Sequence, residues 1–290
     1  MLIRLATRSS AQATAQAQAV SDAITTANPS ATVELVFVET IGDQLADVPL
    51  HAMGGQGVFV KEVQRAVIHG YAEIAVHSAK DLPSTQADGL VIGAFCTRRD
   101  PRDALVGSLL ATLPTGALVA SGSVRRRAQL AVVRPDLRFA ELRGNIQTRL
   151  GKIPDGGAIV MAVAALQILG LTDRIAEVLD PQVFVPAPGQ GCVAVECRVG
   201  DEATLNVLAG IDHEASRTAV EIERSFLAQL GSGCSLPVGA HAVDGQLTAF
   251  LASAAADTHL TRSIDLSADH GAALGQAAAL AAAMHAALPR

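Results

Sequence analysis

The sequence predicts an α/β fold: two doubly wound domains around a cleft, followed by a small α+β C-terminal domain. Three observations predict it. From Leu2 to Gly170 short apolar runs alternate with helical stretches, joined by small or polar turns. Two segments, Cys96–Asp103 and Val185–Gly191, read as crossings between domains. After Asp212 the alternation gives way to a helix, a hairpin and an Ala-rich closing helix. Strands alternating with helices indicate a largely parallel sheet. A chain that crosses out and back builds two lobes, with the ligand between them and the crossings as hinges.

In order, Leu2–Ala6 is a strand that passes through Thr7-Arg8-Ser9-Ser10 into a helix ending before Asn28-Pro29. Val33–Glu39 is a second strand, Glu62–His69 a helix, and Ile74–His77 a strand running into Ser78-Ala79-Lys80-Asp81. Ala117–Ala120 leads through Ser121-Gly122-Ser123 into a helix that stops near Pro135. Arg138–Leu142 leads into Arg143-Gly144-Asn145, and Ala158–Met161 into a helix ending near Gly170. Within Glu214–Leu230, Ala219, Val220, Ile222, Phe226, Leu227 and Leu230 fall at helical spacing. Asp244-Gly245 joins two strand-like runs as a hairpin, and Leu260–Leu266 is a further strand.

In such sheets ligands sit beyond the carboxyl ends of the strands, where helix N-termini offer free N–H groups to anions. The turns at those ends carry Arg8, Ser78, Lys80, Ser121, Ser123, Arg125, Arg126 and Arg143. Serine at such a turn is also a routine helix N-cap, which is the account preferred for Ser10. Arginine gathers between Arg98 and Arg149, while Lys61, Lys80 and Lys152 are the only lysines. In a chain of net charge -6 that is a local landing site for carboxylate or phosphate, not a general nucleic-acid surface. With 3% aromatic residues and no Trp, a stacking platform is also disfavoured.

The cysteines Cys96, Cys192, Cys197 and Cys234 show no CxxC and no paired His, which argues against zinc. The first three sit in apolar runs and read as core fillers. Cys234 lies in the loop Gly231-Ser232-Gly233-Cys234-Ser235-Leu236-Pro237, where a thiol can serve as nucleophile or anchor. Asp81 can stabilise a cationic intermediate or relay a proton, or it can be a turn residue paired with Lys80. His77 reads as a packed strand residue. Nothing at the N-terminus resembles a signal peptide, and no uninterrupted apolar run suggests a membrane span, so a cytoplasmic chain without membrane or nucleic-acid partners is expected.

Eight stretches, taken in order, carry a resemblance. They are Ala6–Ser10, Gly54–Glu62, Val76–Pro83, Arg99–Ala104, Ser123–Arg126, Leu142–Asn145, Pro186–Gly191 and the Cys234 loop. The series resembles the porphobilinogen deaminase (hydroxymethylbilane synthase) family over essentially the full chain. The resemblance implies three domains, the first two like periplasmic binding proteins. Laid on the crossings, they are residues 1–95 with 190–211, residues 96–189, and residues 212–290. It implies a dipyrromethane cofactor joined by a thioether to Cys234, and condensation of four porphobilinogen molecules with loss of ammonia. The product, linear hydroxymethylbilane, is freed by hydrolysis and feeds tetrapyrrole biosynthesis.

Each pyrrole carries acetate and propionate, so the growing chain is a polycarboxylate that needs bidentate partners. The resemblance places Arg8, Arg125, Arg126 and Arg143 on cofactor carboxylates, with Lys80, Ser78, Ser121 and Ser123 adding hydrogen bonds. It places Arg8, Arg143, Arg149 and Gln190 on the substrate, and Asp81 at the pyrrole N–H groups, stabilising the charge of the azafulvene. A monomer is expected. The chain departs from the family pattern at Ile168, where an arginine is usual, at Gln56 and Ile41, where basic residues are common, and in its Gly-Ser-Gly-Cys loop. An apolar side chain cannot replace a guanidinium fork, so one carboxylate contact is missing or supplied elsewhere. The rival readings are a noncatalytic anion-binding module of the periplasmic-binding-protein type and a degenerate paralogue of the same fold.

Overall fold

The computed structural model describes residues 1–40, 57, 59–231, 236–253 and 256–288. They fall into two compact units, one drawn from 1–40, 57–99 and 192–218, the other from 100–191 and 219–288. The first unit begins with β1 (Leu2–Arg8), α1 (Ala11–Ala27), β2 (Thr32–Val38), α2 (Lys61–Ile68), β3 (Ile74–Ser78) and β4 (Leu90–Phe95). The second opens with β5 (Asp103–Val106), β6 (Leu118–Ala120), α3 (Val124–Val133), β7 (Arg138–Ala140), α4 (Ile146–Leu150), β8 (Ala158–Ala162), α5 (Val163–Gln167) and β9 (Glu177–Val178). The chain returns as β10 (Val193–Arg198) and α6 (Glu202–Ala209). It ends with α7 (Glu214–Gln229), β11 (Val238–Val243), β12 (Gln246–Ala252), β13 (His259–Asp265) and α8 (His270–Ala287).

The two five-stranded sheets share one plan. The first has the order β2-β1-β3-β10-β4, the second β7-β6-β8-β5-β9. In each, three parallel strands meet an antiparallel strand that is the first to arrive after a crossing. Each sheet is therefore largely parallel, as expected, with four strands running one way and a single strand, β10 or β5, running against them. A strand that enters a sheet from outside needs no helical crossover, so nothing obliges it to run parallel.

Side-chain alternation explains why both faces of the first sheet are covered. Ile3, Leu5, Ile74 and Val76 pack under Ala17, Val20 and Ile24 of α1. Ala6 and Ala75 face the other way, against Val63, Ala66 and Val67 of α2. In the second sheet Val119 and Val160 pack with Leu130 of α3, while Ala120, Ile159 and Met161 meet Ile146 and Leu166 from α4 and α5. Cys192 and Cys197 are buried and Cys96 half-buried, in keeping with their expected role as core fillers. Burial pushes the Cys96 and Cys197 thiols up to about 11, so neither is a ready thiolate.

The small antiparallel sheet, β11-β12-β13, takes its core from Ile222, Phe226 and Leu230 of α7 and Ala277, Ala281 and Met284 of α8. Its hairpin turns at Asp244 (φ 50°) and Gly245 (φ 73°), the pair of left-handed residues that a two-residue type I′ turn needs. Ala128, Val185, Phe250 and Ala252 form one buried cluster, and Ala240 N–H donates to Pro186 O at 3.0 Å. These contacts place the small sheet in the second unit.

Candidate active site

The first unit builds a hollow at the carboxyl ends of β1 and β3. These strands are paired in parallel (Leu5 with Ile74, Ala6 with Ala75), so Arg8 and Ser78 emerge at the same edge. The hollow holds about 420 Å³ of space open to solvent and is lined by Arg8, Ser10, Gln16, Phe59, Ser78 and Asp81, among others. The Arg8 guanidinium carbon lies 4.1 Å from the centre of the Phe59 ring, a cation–π contact. Gln16 and Ser78 exchange hydrogen bonds, the amide donating at 3.0 Å and the hydroxyl donating back at 3.2 Å. Ser10 caps α1, its hydroxyl accepting from Ala13 N–H at 3.3 Å.

Asp81 is exposed at the end of a single 3-10 turn, Ala79–Asp81, that follows β3 directly; Lys80, in the same turn, is half-buried. Ala79 N–H donates to Cys192 O at 2.9 Å, which holds the turn against the start of β10. His77 is buried on the face packed by α2. Its Nε2 sits 3.1 Å from Glu196 Oε2 without hydrogen-bond geometry, while Gln64 Nε2 donates to both Glu196 oxygens at 3.2 and 2.9 Å. His77 is thus a wall residue, as its place in the strand suggested. Gln64 and Glu196 carried no sequence signal, because they lie 132 residues apart, and Phe59 stood in the Gly54–Glu62 stretch without being singled out.

The second unit gathers the other expected residues, but its centre is Asp103, which sequence reasoning did not single out. Arg125 and Arg126 are 4% and 8% exposed and Asp103 is fully buried. Arg125 Nη2 donates to Asp103 Oδ2 at 2.8 Å, and Arg126 donates to Oδ1 from Nε (3.0 Å) and Nη2 (2.7 Å). The remaining contacts are main-chain carbonyls: Arg125 Nη1 to Val185 O (2.7 Å) and Arg126 Nη1 to Val160 O (3.1 Å). Burial pushes the Asp103 carboxyl up, but the two guanidinia outweigh it and hold the group down at about 2.

Gln190 is 1% exposed, and its amide donates to Pro101 O (2.7 Å) and Asp103 Oδ1 (3.0 Å), so it braces the cluster from within. Ser121 is buried and its hydroxyl accepts from Ser123 N–H at 3.3 Å; Ser123 in turn caps α3 through Arg126 N–H at 3.4 Å. A Cβ on Gly122 would lie 2.8 Å from Leu142 O, so only glycine lets the Ser121–Ser123 turn lie beside the loop that carries Arg143. Arg149 donates from Nε to Gly144 O at 2.8 Å; Arg143 and Arg149 are both half-buried. Ile168 closes α5 as its C-cap and is half-buried. Cys234, Gln56 and Ile41 lie outside the described residues.

Two α/β sheets that gather guanidinium, hydroxyl and carboxylate groups at the carboxyl ends of their parallel strands define a class: proteins that hold a polyanionic ligand at strand ends. Residues 3–206 match the porphobilinogen deaminase dipyrromethane-cofactor-binding domain, and residues 217–283 match the porphobilinogen deaminase C-terminal domain. The chain belongs to the porphobilinogen deaminase family. It is 45% identical over 288 residues to the porphobilinogen deaminase of Acidothermus cellulolyticus, covering 95% of this chain and 86% of that protein. It is 46% identical over 246 residues to that of Roseiflexus castenholzii, covering 83% and 81%. Among solved structures, it is similar to the methionine-binding protein MetQ, at 12% identity and a TM-score of 0.46, covering 74% of this chain and 92% of that one.

Proposed function

We propose that this chain condenses four porphobilinogen molecules head to tail, releasing ammonia at each addition, and frees linear hydroxymethylbilane. The chain is a transferase of the porphobilinogen deaminase family, and its first matched segment is that family's cofactor-binding domain. The observation that carries the proposal is the hollow that brings Arg8, Ser78 and Asp81 together at the ends of β1 and β3.

The donor set fits a dipyrromethane. Two buried guanidinia face one carboxylate, so the Arg125–Arg126–Asp103 cluster keeps an excess positive charge that a polycarboxylate can meet. When bound through Cys234, the dipyrromethane supplies the pyrrole α-carbon on which the product grows. Arg125, Arg126 and Arg143 would hold its acetate and propionate groups, with Ser121, Ser123, Ser78 and Lys80 beside them. Arg8 and Arg149 would take the carboxylates of incoming porphobilinogen, with Phe59 packed against the Arg8 guanidinium. Asp81, exposed to the hollow, would accept the pyrrole N–H and stabilise the positive charge left when ammonia departs. Gln190 would act on the substrate indirectly, through Asp103.

Division into residues 1–95 with 190–211, 96–189 and 212–290 belongs to the same proposal, as does a cytoplasmic monomer, for which light scattering should read one chain mass. The test of the activity is the intact mass of the purified protein. An adduct equal to a dipyrromethane, absent from Cys234→Ala, is expected; a bare polypeptide mass in protein purified from cells that make porphobilinogen, with no hydroxymethylbilane formed from added porphobilinogen, would overturn it.

A further inference from the structure

Arg125 and Arg126 are consecutive residues of α3, and a helix sends consecutive side chains about 100° apart. They nevertheless converge on Asp103, the first residue of β5. Two guanidinia carry about ten N–H groups. Among the described residues five of these donate within the protein, three to Asp103 and one each to Val185 O and Val160 O. A purely structural ion pair would match charge for charge and seal its donors. This cluster does neither, and burying its surplus charge is unfavourable until a second anion arrives. Gln190 adds a fourth donor to Asp103 and ties it to the segment that leads back to β10.

We infer that Asp103 is a positioning residue: it does not touch the ligand, but sets the direction in which Arg125 and Arg126 offer their remaining N–H groups to a ligand carboxylate. The inference rests on the proposal that this pair holds cofactor carboxylates. With its carboxyl held at about 2, Asp103 stays ionised at any pH where the protein works, so its hold on the pair is constant. In Asp103→Asn an amide NH2 would face a guanidinium, donor against donor, and the pair would lose its common acceptor.

The test compares cofactor-loaded and cofactor-free protein, the latter from cells that make no porphobilinogen. A ligand that binds only the folded state raises Tm, so the gain in Tm on loading reports how well the cofactor is held, apart from activity. Asp103→Asn should lose at least half of that gain, and turnover at saturating porphobilinogen should fall at least tenfold. Asp103→Glu, which keeps the charge, should recover part of both. If Asp103→Asn lowers Tm equally in the two forms and leaves gain and turnover within twofold of wild type, Asp103 is structural only and the inference fails. Should the asparagine variant not fold, Asp103→Glu decides alone: a shifted carboxylate must reduce the gain, and an unchanged gain overturns the idea. Arg125→Gln and Arg126→Gln separate the two levels. If they keep the full gain, the assignment of the pair to the cofactor falls and the inference with it. If they lose it while Asp103→Asn does not, only the inference falls.

Discussion

Asp81 and Asp103 are both aspartates next to arginine or lysine in sequence, yet the fold gives them opposite environments. Asp81 is exposed beside the hollow, so it is available to a ligand N–H. Asparagine there keeps shape but not charge, and positioned charge or proton transfer of this kind is worth about 10²–10⁴ in rate. Asp81→Asn should therefore retain the cofactor adduct by mass while turnover falls at least about a hundredfold; full activity would remove Asp81 from the mechanism. Asp103 makes a statement about stability instead. Its folded pKa, about 2, lies below the ordinary carboxylate value of 3.8, so the stabilisation is fully present above that value and is lost as pH falls from near 4 through 2. By linkage it is on the order of 2 kcal/mol. The stability difference between wild type and Asp103→Asn should shrink as pH falls through that window in denaturant titrations; a constant difference would sink the claim. Arg8, Ser78 and Asp81 were legible because they stand at strand ends. Asp103 was not, because its partners lie 22 and 23 residues away and nothing in its own run marks it as buried.

Elements followed the same rule: those whose partners are near in sequence could be read, and those completed from afar could not. Alternation marked β1, β3, β6 and β8 with the helices after them, whereas β4 and β10 meet only after the chain has built the whole second sheet, a pairing that neither run announces. The hairpin between β11 and β12 is the opposite case, since Asp-Gly specifies both the turn and the register, Val243 facing Gln246. A Cβ on Gly245 would meet no atom within 4 Å, so any penalty there comes from the backbone alone. A β-branched residue held at φ 73° is strained by roughly 1–2 kcal/mol. Gly245→Val should lower unfolding stability by about that amount without changing turnover at temperatures where the protein stays folded. No loss of stability would show that the turn tolerates another conformation.

At the scale of the whole molecule, the order in which the chain visits its sheets limits which pieces can fold. The first sheet is built by residues on both sides of the second: β10, made only after the chain has completed β5–β9, lies between β3 and β4. Among the described residues β4 pairs with β10 alone, through Ala194 to Arg198. The segment after β10 supports it further, as Leu208 of α6 packs in the same core and Asp212 accepts the Phe95 N–H at 2.7 Å. A chain cut after Gly191 would therefore leave β4 with unpaired main-chain groups on both edges and an uncovered apolar face, neither of which a lone strand can offset. Hydrogen exchange on residues 1–191 should show the amides of Leu90–Phe95 exchanging like an unfolded chain, while a chain ending at Thr218 should regain their protection. Native-like protection of those amides in the shorter chain would mean that β10 is dispensable to the first unit, and that the return crossing is not what completes it.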